Sequence, residues 1–334
     1  MQQTLTAPWT RFCASSPFLR FLDENLRGVG QVMFQDNPLS GALFLVGIAW
    51  ASYAAGAPEI VAGGIVALVV ATMTSHWLHV DESSRAAGLY GFNGVLVGLA
   101  LMTFLDPGPL RFVYVVLGAV VSVVAMLGIA HAVRPFGVSA LTFPFVITTW
   151  ALLLAAHAFS AVASGLPLPG ETRAVAPVAS ALAPADFVQG VLHSISQVFL
   201  KGSGVAAVFL LAGLAVNSVP AAAFAVGGAV LAVVAAHVFG AESDLITGGL
   251  LGFSPVLTAI ALGTVFAQPS GRITAYAALG VVFTVIAQAA LDVALIPLAV
   301  PALTAPFVLV SWMFALPREC VERSDPAPVR ARFS

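Results

Sequence analysis

The 334-residue chain is 60% hydrophobic, only 8% charged and nearly neutral, with a net charge of −2. That composition, with a mean hydropathy of +1.00, excludes a soluble enzyme, in which about a quarter of residues are charged. It also excludes a disordered chain, which is poor in apolar residues. The charge balance offers nothing to nucleic acid. Cys13 and Cys320 sit near opposite ends and give neither a disulfide framework nor metal spacing, so no metal and no cofactor is expected. At about 20 residues per span the length accommodates at most about a dozen spans. The expected fold class is an all-α polytopic membrane protein.

In chain order, the segment Phe18 to Phe34 is too polar to span alone, carrying Arg20, Asp23, Glu24 and Arg27. It reads as a short half-helix of about 18–34, and no removable signal peptide is read before it. Apolar runs follow at about 38–56, 58–78, 88–105, 111–133 and 141–160. A Pro/Ala/Ser-rich linker at 161–185 leads to a second polar half-helix at about 186–200. Further apolar runs lie at about 203–218, 220–239, 246–267, 273–297 and 303–317, before a tail at 318–334. A short polar segment beside a full set of spans is read as re-entrant, packed against protein because lipid does not tolerate exposed polar backbone. The competing reading is an amphipathic helix on the membrane surface.

With the N-terminus cytoplasmic, Arg11, Arg20, Arg27, Arg85, Arg134, Arg272, Arg318, Arg323, Arg330 and Arg332 fall inside, whereas Arg111 and Arg173 fall outside. Lys201 sits at a junction. This positive-inside bias places both termini of a multi-pass protein of the cell (inner or plasma) membrane on the cytoplasmic side.

The chain repeats itself. LRGVGQVMF (26–34) resembles LHSISQVFL (192–200), GLYGFNGVL (88–96) resembles GLLGFSPVL (249–257), and LTFPFV (141–146) resembles LTAPFV (303–308). Trp150 then matches Trp312. Three landmarks recur in one order at nearly constant offset, which marks two repeats, residues 1–160 and 186–317. Five spans per repeat is an odd number, so the second repeat enters from the opposite face. Inverted repeats characterise transport proteins, with the path at the repeat interface. The reading from another class is a duplicated scaffold with no path.

Each half carries the same polar kit. Intramembrane polar groups are costly and face the bundle interior or a wet cavity. Gln31 and Gln197 end the half-helices, each with a donor and an acceptor. Thr142 and Thr304 stand two residues before Pro144 and Pro306, which are expected to break the helical ladder and free a carbonyl. Phe92 with Leu96, and Phe253 with Leu257, are four apart on one helix face. Together these residues describe a narrow slot with aromatic and leucine walls and oxygens along its edges. No ionisable residue recurs in both cores, which argues against a proton relay or a charged substrate. A small, neutral, flat molecule rich in N–H donors fits, and urea is such a molecule. The alternative is a pore for ammonia or short amides, for which the six histidines weigh; His76 and His237 lie near span ends. Trp150 and Trp312 read as packing or interface anchors. Asp36, Asp81, Glu82, Glu242 and Asp244 read as solvated loop charges. No nucleophile–base pair or ligand cluster points to an enzyme.

At RGVGQV (27–32), NPLSG (37–41), AGLYGFN (87–93) and the paired LTxPF motifs at 141–145 and 303–307, the sequence resembles the urea transporter family, from about Phe18 to Phe314. The resemblance implies a channel-like facilitator with two inverted halves of five spans and one tilted half-helix each. It also implies a homotrimer in the lipid bilayer with one pore per subunit. Gln31 and Gln197 match urea-contacting positions, and Val32, Val198 and Phe34 match slot walls. Phe92, Leu96, Phe253 and Leu257 match the constrictions, and Thr142 and Thr304 match the central threonines. The second half departs from the pattern at Lys201, at Ser203 to Ala207, at Leu200 in place of an aromatic, and at Ser254-Pro255.

Overall fold

The computed structural model describes residues 13, 15–171, 178–179 and 181–317. Arg11, Arg173, Cys320 and the tail 318–334 with its arginines lie outside them. Regular structure among the described residues is helical: α1 (Pro17–Gln31), α2 (Pro38–Ala54), α3 (Pro58–Trp77), α4 (Glu82–Ala86), α5 (Phe92–Phe104), α6 (Arg111–Val133) and α7 (Phe143–Ala156). There follow α8 (Pro184–Ser196), α9 (Gly204–Asn217), α10 (Val219–Val238), α11 (Ser243–Thr247), α12 (Phe253–Ile260), α13 (Gly271–Leu295) and α14 (Ala305–Ala315).

The helix starts are written in the sequence. Proline occupies the first turn of α1, α2 and α3, where its missing N–H has no intrahelical partner to lose. The side chains of Asn37, Ser203, Ser218 and Ser270 accept from backbone N–H groups at the starts of α2, α9, α10 and α13, satisfying donors that would otherwise be orphaned.

Among the described residues four stretches are long and apolar enough to cross a membrane: Pro58–Trp77, Arg111–Phe136, Val219–Val238 and Gly271–Leu298. Those containing α6 and α13 are mostly unburied, exposing Val113, Val116, Leu117, Val121, Leu279, Phe283 and Ile286. Apolar surface on that scale does not face water in a monomeric soluble protein; it is the lipid-facing belt. Pro184–Phe199 and Gly204–Asn217 meet at 71°, the geometry of a broken span or a re-entrant segment.

Helices α5, α7, α12 and α14 are shorter than the apolar runs from which they form. The run 88–105 becomes helical only at Phe92, 141–160 at Phe143, 246–267 at Phe253 and 303–317 at Ala305. At 1.5 Å per residue, 13 residues of α5 reach roughly 20 Å, short of a hydrocarbon core of about 30 Å. For α5 the shortfall is tolerated because protein surrounds it: every residue from Phe92 to Met102 is buried. Backbone that is not helical at membrane depth is stable where protein encloses it.

The breaks have a common cause. Left-handed backbone occurs at Phe34, His79, Gly88, Gly137 and Leu141, and again at Leu200, Gly240, Gly249, Ala299 and Leu303, each separated from its counterpart by 161 to 166 positions. Such residues end a right-handed turn and re-aim the chain. Gly88 (φ 78°) and Gly249 (φ 72°) require glycine twice over. A Cβ there would overlap the backbone of Gly28 and of His193–Ser194 respectively, so the half-helices α1 and α8 lie directly on these turns.

Helices α2 and α9, one from each half of the chain, pack closely on each other. Ser40 Oγ donates to the Gly213 carbonyl at 2.6 Å, a Cβ at Gly213 would meet Phe44, and Phe44 packs on Phe199 at 5.7 Å. In lipid, helices associate through such small-residue contacts and buried hydrogen bonds.

Candidate functional site

The ends of α1 and α8 are built alike. Gln31 donates from Nε2 to the Ala87 carbonyl at 2.8 Å, and Gln197 donates from Nε2 to the Gly248 carbonyl at 3.1 Å. Ala87 and Gly248 each precede the left-handed glycine on which the half-helix rests. A carbonyl only accepts, so each bond fixes the amide nitrogen and leaves Oε1 as the group the side chain presents elsewhere. Val32 and Val198 are buried beside them, each 1% exposed. Phe34 packs edge-on against Phe307 of α14 at 6.1 Å.

Thr142 and Thr304 occupy the N-cap positions of α7 and α14. The sequence reading has Pro144 and Pro306 breaking a helix. Instead both lie in the first turn of a helix that begins there, where a proline interrupts no bond. A threonine at an N-cap usually accepts from its own helix, but neither does so here. Their hydroxyls bond each other at 2.6 Å, with both residues 3% exposed. The N-termini of two short helices therefore meet at one buried hydroxyl pair, and their partial positive charges add there.

Beside the pair lies a cavity of about 480 Å³ whose lining includes Gln197, Val198, Phe253 and Thr304. Leu200 and Phe145 also line it, the counterparts of the packed pair Phe34 and Phe307. Leu257 and Leu96 are fully buried and are absent from that lining, as is Lys201, itself buried. Phe92, 6% exposed, opens α5. Thus Gln197, Val198, Phe253 and Thr304 share one chamber, Thr142 joins them through its bond to Thr304, and Gln31 occupies the matching place in the first half.

Three polar side chains of the chamber carry no sequence-based expectation: Thr103, which donates to the Leu99 carbonyl of its own helix at 2.7 Å, and the pair Gln288 and Asp292. Both lie in α13. Their signal was a lone carboxylate in a long apolar run, where an ionisable group has to be explained.

The other charges are used locally. Arg27 pairs with Asp23 at 2.7 Å and Asp36 at 2.6 Å, so Asp36 is an ion-pair partner as well as a loop charge. His76 bonds the buried Glu24 at 2.7 Å, and His193 Nδ1 bonds the Thr247 carbonyl at 2.9 Å. Neither histidine lines the chamber. The tryptophans tie the halves together: Trp150 donates to the Pro301 carbonyl and Trp312 to the Ser139 carbonyl, each at 2.8 Å. Among the described residues no group of histidine, cysteine or carboxylate side chains could hold a metal ion.

A sequence model described as "Urea transporter" matches residues 22–319. The chain belongs to the urea transporter family. It is 26% identical to urea transporter 1 of Ovis aries and 28% identical to that of Rattus norvegicus. Each match runs over 304 residues, covering 89% of this chain and 77% of the relative. A stretch of 90 residues is 42% identical to urea transporter 1 of Mus musculus, covering 27% of this chain and 22% of that protein. Family membership agrees with a helical, multi-pass membrane protein.

Proposed function

We propose that this member of the urea transporter family moves urea passively across the membrane through a slot between two inverted repeats. The first repeat comprises α1–α7 within residues 1–160, and the second comprises α8–α14, whose first helix begins at Pro184, two residues ahead of the expected bounds 186–317. The observation that carries the reading is the hydroxyl pair Thr142–Thr304, set between two half-helix ends that each present a glutamine. In this reading urea sheds its water at Gln197 or Gln31. Its N–H groups pass to the threonine oxygens while Phe92 and Leu96 on one side, and Phe253 and Leu257 on the other, hold its faces. Val32, Val198 and Phe34 complete the walls. A urea N–H bond to a fixed oxygen replaces a bond to water, so the net free energy per step is small, and a small step lets the solute leave again. The paired helix N-termini favour the urea carbonyl and oppose cations.

Both termini are cytoplasmic in this reading, consistent with the arginine bias. The subunit assembles as a homotrimer in the cell membrane, and each copy conducts alone. The test is stopped-flow urea efflux from proteoliposomes, with a water-only control and competition by thiourea, acetamide and ammonium. Urea flux above empty liposomes, inhibited by thiourea and indifferent to ammonium, is the expected result. Flux of ammonia with no urea selectivity selects the alternative pore, and no flux at all selects a scaffold.

A further inference from the structure

Asp292 stands in the chamber wall with its carboxylate oriented by a relay. Gln288 Nε2 donates to its two oxygens at 3.0 and 3.1 Å, and Ser254 Oγ in turn donates to Gln288 Oε1 at 2.8 Å. Ser254 and Gln288 are buried. The relay ends at the one side chain among the chamber's lining residues that can carry a charge. A carboxylate offers about four lone-pair sites. The Gln288 amide and the Ala302 backbone N–H engage part of them, and no ion pair to Asp292 occurs among the described residues. The remaining acceptor capacity belongs to the cavity.

The first half shows that the fold does not require this. The positions matching Ser254, Gln288 and Asp292 are Asn93, Met126 and Ala130. The same two helices touch there, with Asn93 Nδ2 beside the Met126 sulfur at 3.7 Å, and Asn93 Oδ1 instead accepts from the Phe145 backbone at 3.1 Å. A buried relay ending on a carboxylate is costly unless its acceptor is used. Packing alone is met in the other half by methionine and alanine.

We infer that Asp292 is a specificity-determining acceptor of the second-half chamber, docking planar solutes that present two adjacent N–H groups ahead of the threonine pair. The inference rests on the transport reading for urea itself. For a planar cation of the same shape the carboxylate is the stronger partner, since charge-assisted, bidentate bonds exceed neutral ones. Guanidinium should therefore seat on Asp292, and the helix N-termini beyond it should stop it passing, so it acts as a blocker.

The probe is guanidinium chloride at millimolar concentration, against matched sodium chloride, on the full-length protein. Two readouts are taken: thermal stabilisation of detergent-purified protein and inhibition of urea efflux from proteoliposomes. Guanidinium is expected to stabilise and inhibit the native protein. Asp292→Asn should raise the concentration needed by at least tenfold, and Asp292→Glu should recover part of the effect. Tetramethylguanidinium, which has lost the paired N–H edges, should be at least tenfold weaker on the native protein, a comparison that needs no variant to fold. Equal response of the native protein and Asp292→Asn, equal potency of the two cations, or no response to guanidinium overturns the inference. A native protein that binds guanidinium through Asp292 but passes no urea overturns the transport reading and leaves the docking site standing.

Discussion

Replacing Thr142 and Thr304 by alanine, singly and together, separates the structural from the transport role of the hydroxyl pair. The two oxygens are 2.6 Å apart and buried, so either single alanine removes one bond and strands the other hydroxyl. Leaving a buried hydroxyl unsatisfied costs about 1–3 kcal/mol. The double variant loses the same bond only once and strands nothing. Its loss of stability should fall short of the sum of the singles by about 1 kcal/mol, as expected for residues in direct contact. Transport should behave differently. If each hydroxyl is also a station for urea worth about 0.5–1.5 kcal/mol, each single alanine lowers flux roughly 2- to 13-fold, and the double variant lowers it further. Valine is a harsher change: a methyl needs a separation of about 3.5 Å where 2.6 Å is present, so it must enter the path. The assays are thermal unfolding in detergent and stopped-flow urea efflux, with serine variants as controls that keep the hydroxyl. A double alanine variant that conducts urea at the native rate with native discrimination against thiourea would refute the role given to the pair.

Gln197→Leu removes the presented Oε1 and leaves the Gly248 carbonyl without its donor; urea efflux should fall about tenfold, the equivalent of roughly 1.4 kcal/mol, with the protein still monodisperse by size-exclusion chromatography. Gly249→Ala forces a left-handed alanine, at about 1–2 kcal/mol, into the backbone of α8, so the yield of folded protein should drop sharply. Gly227→Ala, where a Cβ meets nothing within 4 Å, should be neutral or slightly stabilising in the same expression assay. Trp150→Phe strands the part-buried Pro301 carbonyl of the opposite half and should lower the unfolding free energy by about 1 kcal/mol, whereas Trp312→Phe frees an exposed Ser139 carbonyl that water can serve and should cost less. Neither should alter discrimination between urea and thiourea.

The recurrence of Gln-Val and Leu-Thr-x-Pro-Phe at constant offset was enough to single out Gln31, Gln197, Thr142 and Thr304, because polar residues in an apolar chain stand out singly. The function of the prolines was not legible. Proline reads as a helix breaker when the helix is assumed to run through it. What moved the helix start to Phe143 and Ala305 was left-handed backbone at Leu141 and Leu303, a conformation leucine does not advertise. Asp292 does not recur, since alanine stands at the matching Ala130, so the repetition that marks the glutamines and threonines carries no signal for it. The bonds from Trp150 to Pro301 and from Trp312 to Ser139 were also hidden. An indole in a membrane helix is equally at home at the lipid interface, and only the packing of the halves decides between the two.

The left-handed residues also bear on how such a site would work. Phe34, Leu141, Leu200 and Leu303 each hold a side chain in a region that costs about 1–2 kcal/mol; Leu141 and Leu303 adjoin the threonine pair, Phe34 is itself a proposed wall, and Leu200 lines the chamber. Strain of that kind persists where surrounding packing fixes the backbone, and Leu141 and Leu303 are themselves buried, as are Thr142 and Thr304 beside them. A path so fixed need not rearrange for each solute, which favours a channel-like passage over alternating access. In the proposed path Asp292 would add an acceptor on one side only, since alanine stands at the matching position of the first half. With no energy source, one-sided binding leaves the final distribution of urea unchanged. It makes the half-saturating concentration differ between entry and exit, while the ratio of maximal rate to half-saturation stays equal in the two directions. The asymmetry of the chamber is therefore a matter of how readily solute is captured from one face, and of which solutes are held there.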